Sequence, residues 1–118
     1  MTSQRGAERV QVDAFVKVSA DGQELVFRTR DLSEHGLFLY TKVARAYPIK
    51  VGSTLALELY GVDQHVACTV VVVRVVETGS AESDRFPTGF GVKIVDMDEP
   101  TRATLASMIS RIKSGEVY

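Results

Sequence analysis

The chain has 118 residues and a mass of 12.9 kDa, with 45% hydrophobic and 25% charged residues. These values are typical of a soluble globular protein, and the length predicts a single domain. The 14 Lys and Arg residues nearly balance the 15 Asp and Glu residues, which leaves a net charge of −1. Proteins that hold long nucleic acids are usually much more basic, so the charge argues against a general DNA- or RNA-binding protein.

The small numbers of cysteine and histidine exclude further classes of protein. The chain has one cysteine, Cys68, and two histidines, His35 and His65. An intrachain disulfide and a cysteine-rich zinc site are therefore impossible, and we expect no metal and no cofactor. Because no nucleophile has a recognisable neighbouring base, we do not expect an enzyme. The N-terminus is polar and residues 66–76 are too short to span a bilayer, so we expect a cytoplasmic protein without membrane insertion.

Hydrophobic patterning predicts six strands, which we take in chain order. Apolar residues alternate with other residues from Val10 to Val18, the period of a half-buried strand. An Asp-Gly pair within 20–23 predicts a hairpin turn. The remaining predicted strands cover residues 24–29, 37–40, 54–60, 65–77 and 90–95, separated by a turn over 31–36, a connection over 41–52, a turn over 61–64 and a loop over 78–88.

The hydrophobic period changes from two to that of a helix near the C-terminus. Apolar residues then recur at the spacing of one helical face, namely Leu105, Met108, Ile109 and Ile112. Asp98 and Glu99 before Pro100 suit the start of this helix, and Gly115 suits its end. Six antiparallel strands followed by one helix predict a small β-barrel whose closure hides the strand edges, with the helix covering one opening.

Two short motifs carry information about function. Arg5 and Arg9 lie four residues apart just before the first strand, and residues 31–36 form an Asp-x-Ser-x-x-Gly turn between strands. Each motif alone has an ordinary explanation. The first would be two solvated arginines, and the second an Asx or Ser turn in which Gly36 adopts a positive backbone angle. The two motifs in this order are much rarer than either alone.

The ordered motifs resemble the PilZ domain family, a bacterial receptor module for cyclic di-GMP (c-di-GMP). The resemblance spans nearly the whole chain and includes the glycine-containing strand over 89–94. It implies a six-stranded antiparallel β-barrel with a C-terminal α-helix. Residues 1–9 would be a flexible ligand-binding switch, and residues 10–118 would be the barrel and helix. Because only four residues precede Arg5, we expect the switch to be the chain's own N-terminus and the signal to pass to a separate protein.

The resemblance implies that Arg5, Arg9 and Asp31 contact the dinucleotide. In the family the paired arginines clamp guanine edges and phosphates. A planar guanidinium suits this task because it donates two parallel hydrogen bonds, which lysine cannot do. Asp31 would accept hydrogen bonds from the N1 and N2 groups of guanine, which favours guanine over adenine.

Two other positions, Ser33 and Gly36, complete the implied site, and Gln4 and Arg74 are possible additions to it. The Ser33 hydroxyl would donate to a phosphate or a base, and Gly36 would allow a tight turn and close approach of the ligand. Gln4 precedes the first arginine, at a position that influences in the family whether one ligand or a stacked pair binds. Arg74 interrupts the long strand and is a further candidate, although general preferences favour a solvated arginine there.

These observations leave two hypotheses about function. The first is a non-enzymatic cyclic di-GMP receptor that passes its signal to an unidentified output protein. The alternative is a PilZ-like interaction module that does not bind the nucleotide. In either case we expect a monomer or weak homodimer, and the number of bound ligands stays open.

Overall fold

The computed structural model describes residues 9–41, 47–61, 64–76 and 89–114. Within these ranges the strands are β1 (Val10–Ala20), β2 (Gln23–Leu32), β3 (Gly36–Tyr40), β4 (Thr54–Tyr60), β5 (His65–Val76) and β6 (Gly89–Asp96), followed by one helix, α1 (Glu99–Lys113). All strand pairs are antiparallel, and the sheet closes into a barrel in the order β1-β2-β3-β6-β5-β4. The predicted barrel with a C-terminal helix is confirmed.

The first hairpin follows directly from the sequence. Val16 and Val18 of β1 are fully buried. Phe15, which lies next to them on β1 and pairs with β2 and β4, faces outward. Asp21 and Gly22 link β1 to β2 with φ angles of 55° and 75°. Two consecutive positive angles are typical of a tight hairpin turn that matches the twist of the flanking strands.

A single apolar core joins the barrel to α1. Leu105, Met108 and Ile109 of the helix are buried in the same cluster as the inward-facing residues of the strands. Asp98 caps the helix, since its carboxylate accepts a hydrogen bond from the Thr101 backbone N–H at 2.8 Å. This hydrogen bond lowers the pKa of Asp98 below its usual value. No helix in the described part of the chain has the length and apolarity needed to cross a membrane.

The prediction that β2 ends at residue 29 is wrong. The strand continues to Leu32, because Asp31 pairs with Gln11 of β1. Asp31 therefore belongs to a strand, and the turn between β2 and β3 is confined to residues 33–35. The predicted loop over 78–88 lies outside the described residues, as do residues 42–46 and Gly115.

The single cysteine and the two histidines differ in burial. Cys68 is partly buried against the core, and burial raises the pKa of its thiol to about 11. The thiol is therefore protonated at neutral pH and a weak nucleophile. His35 and His65 are exposed. Among the residues with described positions, no three His, Cys, Asp or Glu side chains gather in a group that could hold a metal ion.

Candidate functional site

A cleft of about 420 Å³, which we call the arginine cleft, crosses β2, β3, β5 and β6. Its volume falls within the range of about 300–1,000 Å³ that is usual for small-molecule sites. The cleft is lined by Arg9, Arg30, Asp31, Leu37, Phe38, Tyr40, Val73, Arg74, Gly91 and Val92. Two of the predicted site residues that the structure describes, Arg9 and Asp31, meet here, together with the further candidate Arg74.

Two irregularities in strand pairing shape the lining of the arginine cleft. The pairing of β2 with β3 shifts between Thr29 and Leu32, and the pairing of β5 with β6 shifts between Val72 and Arg74. Consecutive side chains of a regular strand point to opposite faces, and a bulge changes this alternation. As a result, Arg30 and its neighbour Asp31 both line the cleft, as do Val73 and Arg74.

The Asp31 carboxylate is fixed by two hydrogen bonds to the same oxygen. Oδ1 accepts from the Phe38 backbone N–H at 3.1 Å and from Arg9 Nη1 at 3.2 Å. Below it, the fully buried Thr29 hydroxyl lies 2.8 Å from the carbonyl oxygens of Asp31 and Phe38 and donates its hydrogen bond there. At the bulge, the Asp31 side chain thus takes the place of a backbone carbonyl as the acceptor for the Phe38 N–H. The same carboxylate oxygen also pairs with Arg9 in the cleft.

Arg30 is a cleft residue that sequence reasoning missed. Its guanidinium carbon lies 4.4 Å from the centroid of the Tyr40 ring, which is itself only 6% exposed. Arg30 belongs to neither motif, and its place in the cleft depends on a bulge that has no local signature in the sequence. Among the described residues that line the cleft, three arginines stand against one acidic residue, Asp31.

Ser33 lies behind the arginine cleft and not in its lining. Its side chain is buried at 3% exposure, and its Oγ accepts from the backbone N–H groups of His35 and Gly36, each at 3.2 Å. The Ser33 backbone N–H donates to the Gly36 carbonyl at 3.0 Å. The hydroxyl therefore stabilises the turn that joins β2 to β3, directly after Asp31.

The glycines of β3 and β6 permit close packing. The expectation of a positive backbone angle at Gly36 is wrong, because among the described glycines only Gly22 and Gly52 have one. A Cβ atom at Gly36 would instead collide with the backbone carbonyl of Val92 on β6. Gly91 lies in the cleft, where an added Cβ would be 3.3 Å from Arg74 Cβ.

The remaining predicted site residues, Gln4 and Arg5, lie outside the described residues. Arg9 is the part of the first motif that the structure describes, and its side chain is half exposed beside Asp31. The described lining as a whole offers three guanidinium groups and one carboxylate acceptor in one cleft. It can hold a polar ligand that carries both negative charge and hydrogen-bond donors.

Solved structures of other proteins share this barrel. The inhibitor of motility MotI/DgrA from Bacillus subtilis matches 97% of this chain with a TM-score of 0.76 and 14% identity. The PilZ domain of YcgR from Escherichia coli, solved with c-di-GMP, matches 98% with a TM-score of 0.71 and 18% identity. The MrkH–c-di-GMP complex of K. pneumonia matches 96% with a TM-score of 0.74 and 13% identity. At these identities the similarity establishes the fold.

The extent of these matches differs between proteins. This chain covers 54% of the MotI/DgrA chain and 53% of the MrkH chain, but 100% of the isolated YcgR domain. A search of curated protein sequences gives no significant match. The sequence profile of the PilZ domain matches residues 3–111, which include both motifs, all six strands and most of α1. The chain therefore belongs to the PilZ domain family.

Proposed function

We propose that the chain is a bacterial cyclic di-GMP receptor that binds the dinucleotide in the arginine cleft and catalyses no reaction. Its output would be a change in affinity for a partner protein. The observation that carries this proposal is that Arg9, Arg30 and Arg74 line one cleft together with Asp31, whose carboxylate pairs with Arg9. Two structural neighbours with the same barrel, the YcgR domain and MrkH, were solved with c-di-GMP.

The charge of the cleft suits the charge of this ligand. Cyclic di-GMP carries two phosphodiester groups and hence two negative charges. The described lining of the cleft has three arginines and one aspartate, an excess of two positive charges. A guanidinium pairs with a phosphate through two parallel hydrogen bonds and also stacks on planar rings, so each arginine can meet either part of the ligand.

Asp31 supplies the complementary recognition of guanine. Its carboxylate accepts hydrogen bonds, and guanine offers N1 and N2 donors on one edge whereas adenine does not offer this pair. Arg9 lies 3.2 Å from the same carboxylate, so a guanine on Asp31 would be within reach of the Arg9 guanidinium. Arg5, which lies four residues before Arg9 in the sequence, would add the second half of the clamp.

The other predicted residues have indirect or additional roles in this proposal. Ser33 and Gly36 would act by holding the turn and the β3–β6 contact that position Asp31. Gln4 and Arg74 would add contacts at the edge of the ligand. Residues 1–9 would be the switch that closes over the bound dinucleotide and changes the surface that a partner meets.

Isothermal titration calorimetry with cyclic di-GMP tests the proposal. We expect saturable binding to the wild type and no measurable binding to Arg5→Ala or Arg9→Ala. Arg102→Ala is the matched control, since Arg102 is an exposed arginine on α1 that pairs with Glu99 at 3.9 Å. Unchanged affinity in both Arg5 and Arg9 variants would contradict the site. A wild type that gives no heat at high ligand concentration would favour the alternative, an interaction module without nucleotide binding.

A further inference from the structure

A second concavity lies over β1 and β2 and adjoins the arginine cleft at Arg30 and Tyr40. This β1–β2 hollow has a volume of about 420 Å³ and includes Phe15, Val26, Arg28, Arg30 and Tyr40 in its lining. It shares Arg30 and Tyr40 with the arginine cleft. Neither motif nor the proposed nucleotide site accounts for its other residues.

The apolar side chains of the hollow are unusually exposed. Phe15 is 55% exposed and Val26 is 61% exposed, although they lie on adjacent strands of a closed barrel. The Arg28 guanidinium carbon lies 4.5 Å from the centroid of the Phe15 ring. Aromatic residues and arginines are enriched in the centres of protein interfaces, where they contribute much of the binding energy. The composition therefore fits a protein-binding surface.

The charges of the hollow indicate which partner chemistry it accepts. Arg28 donates from Nε and Nη2 to Asp13 Oδ1 at 3.2 and 2.7 Å, so this arginine is already held in place. Arg30 lies over the Tyr40 ring, and the described residues lining the hollow include no Asp or Glu. A basic segment would be repelled by the Arg30 guanidinium, because the charge of Arg28 is already compensated by Asp13. A wholly apolar segment would bury the Arg30 charge without a carboxylate partner, which is costly.

We propose that the β1–β2 hollow is a docking site for a partner protein segment that carries an apolar side chain next to a carboxylate. The apolar side chain would pack on Phe15 and Val26 beside the stacked Arg28, and the carboxylate would pair with the Arg30 guanidinium. A charge-assisted hydrogen bond beside a buried apolar anchor combines the two contacts that give interfaces their affinity and orientation. The proposal stands whether or not the arginine cleft binds a nucleotide.

Selection from a displayed library of random twelve-residue peptides tests the proposal, with the immobilised wild-type chain as target. We expect the selected peptides to share an aliphatic or aromatic residue adjacent to Asp or Glu. Fluorescence anisotropy then gives their affinities, and Phe15→Ser and Arg28→Glu should each weaken binding by about tenfold or more. Val95→Ser is the matched control, because Val95 is an apolar residue on β6 that is 53% exposed and lies away from the hollow.

Several results would overturn the docking site. These are a library without enriched peptides, selected peptides that are basic, or peptides that bind Phe15→Ser and Arg28→Glu as tightly as the wild type. Sedimentation that shows a dimer lost in Phe15→Ser would assign the hollow to a second copy of the chain and would also overturn the proposal. Val26→Ser provides a second variant, and thermal unfolding of each variant verifies that the barrel is intact.

Discussion

Asp31 combines a structural and a proposed ligand-binding role in one carboxylate. We predict that Asp31→Ala loses cyclic di-GMP binding and also lowers the free energy of unfolding by about 1–3 kcal/mol, because the half-buried Phe38 N–H loses its acceptor. Asp31→Asn is the control, since its amide oxygen can still accept from Phe38. Urea denaturation should show that Asp31→Asn is the more stable variant. Equal stability of the two variants would mean that the Phe38 hydrogen bond contributes little.

Two glycines of the barrel, Gly36 and Gly91, differ in the atoms that an added side chain would meet. We predict that Gly36→Ala lowers the free energy of unfolding by about 1–3 kcal/mol or more, because the new Cβ meets the rigid carbonyl of Val92. Gly91→Ala should cost less, because its new Cβ is 3.3 Å from the Arg74 Cβ atom, where a displacement of a few tenths of an ångström relieves the contact. Urea denaturation of both variants measures the difference, and the reverse order of stability would contradict this packing.

The residues of the site differ in how well sequence could predict them. The motif spacing led to the prediction of Arg9 and Asp31 as site residues, and the structure brings both to one cleft. The motif spacing could not point to Arg30, whose place in the cleft depends on the bulge between β2 and β3. The function of Gly36 was also hidden, because the atom that excludes a side chain there belongs to Val92, which is distant in sequence.

At the scale of elements, the cap of α1 predicts a pH dependence of stability. The hydrogen bond from Thr101 lowers the pKa of Asp98 in the folded chain below its ordinary value of 3.8. The ionised cap therefore contributes stability above that value, and the contribution is lost as the pH falls through the lowered pKa. We predict that Asp98→Ala is less stable than the wild type at neutral pH and that the gap narrows in acid. Urea denaturation of the wild type and Asp98→Ala at neutral pH and below pH 3.8 measures this difference in stability. A difference that does not change with pH would contradict the role of the ionised Asp98 as the cap of α1.

The elements themselves were largely predictable because alternation and helical spacing are local signals. The period of two over Val10–Val18 identified β1, and the spacing of Leu105, Met108 and Ile109 identified the buried face of α1. The end of β2 was missed because Arg30 and Asp31 break the apolar alternation at the bulge. The polar residues that obscured the strand are the ones that line the arginine cleft.

At the scale of the whole molecule, the distribution of charge matters more than its total. A net charge of −1 argues against binding of long polyanions, yet the arginine cleft gathers an excess of two positive charges from β2, β5 and the residue before β1. The β1–β2 hollow borders this cleft through Arg30 and Tyr40. One barrel thus presents a charged cleft and an apolar, cationic surface side by side.

The most direct test of the central claim is an amide chemical-shift map of the wild-type chain during titration with cyclic di-GMP. The proposed site predicts saturable shifts concentrated at Arg9, Asp31, Phe38, Arg74 and Gly91, with residues of α1 unaffected. The same titration with cyclic di-AMP should give weaker shifts, because adenine lacks the donor pair for Asp31. An unchanged spectrum at high cyclic di-GMP concentration, or saturable shifts confined to surfaces away from the arginine cleft, would contradict the account.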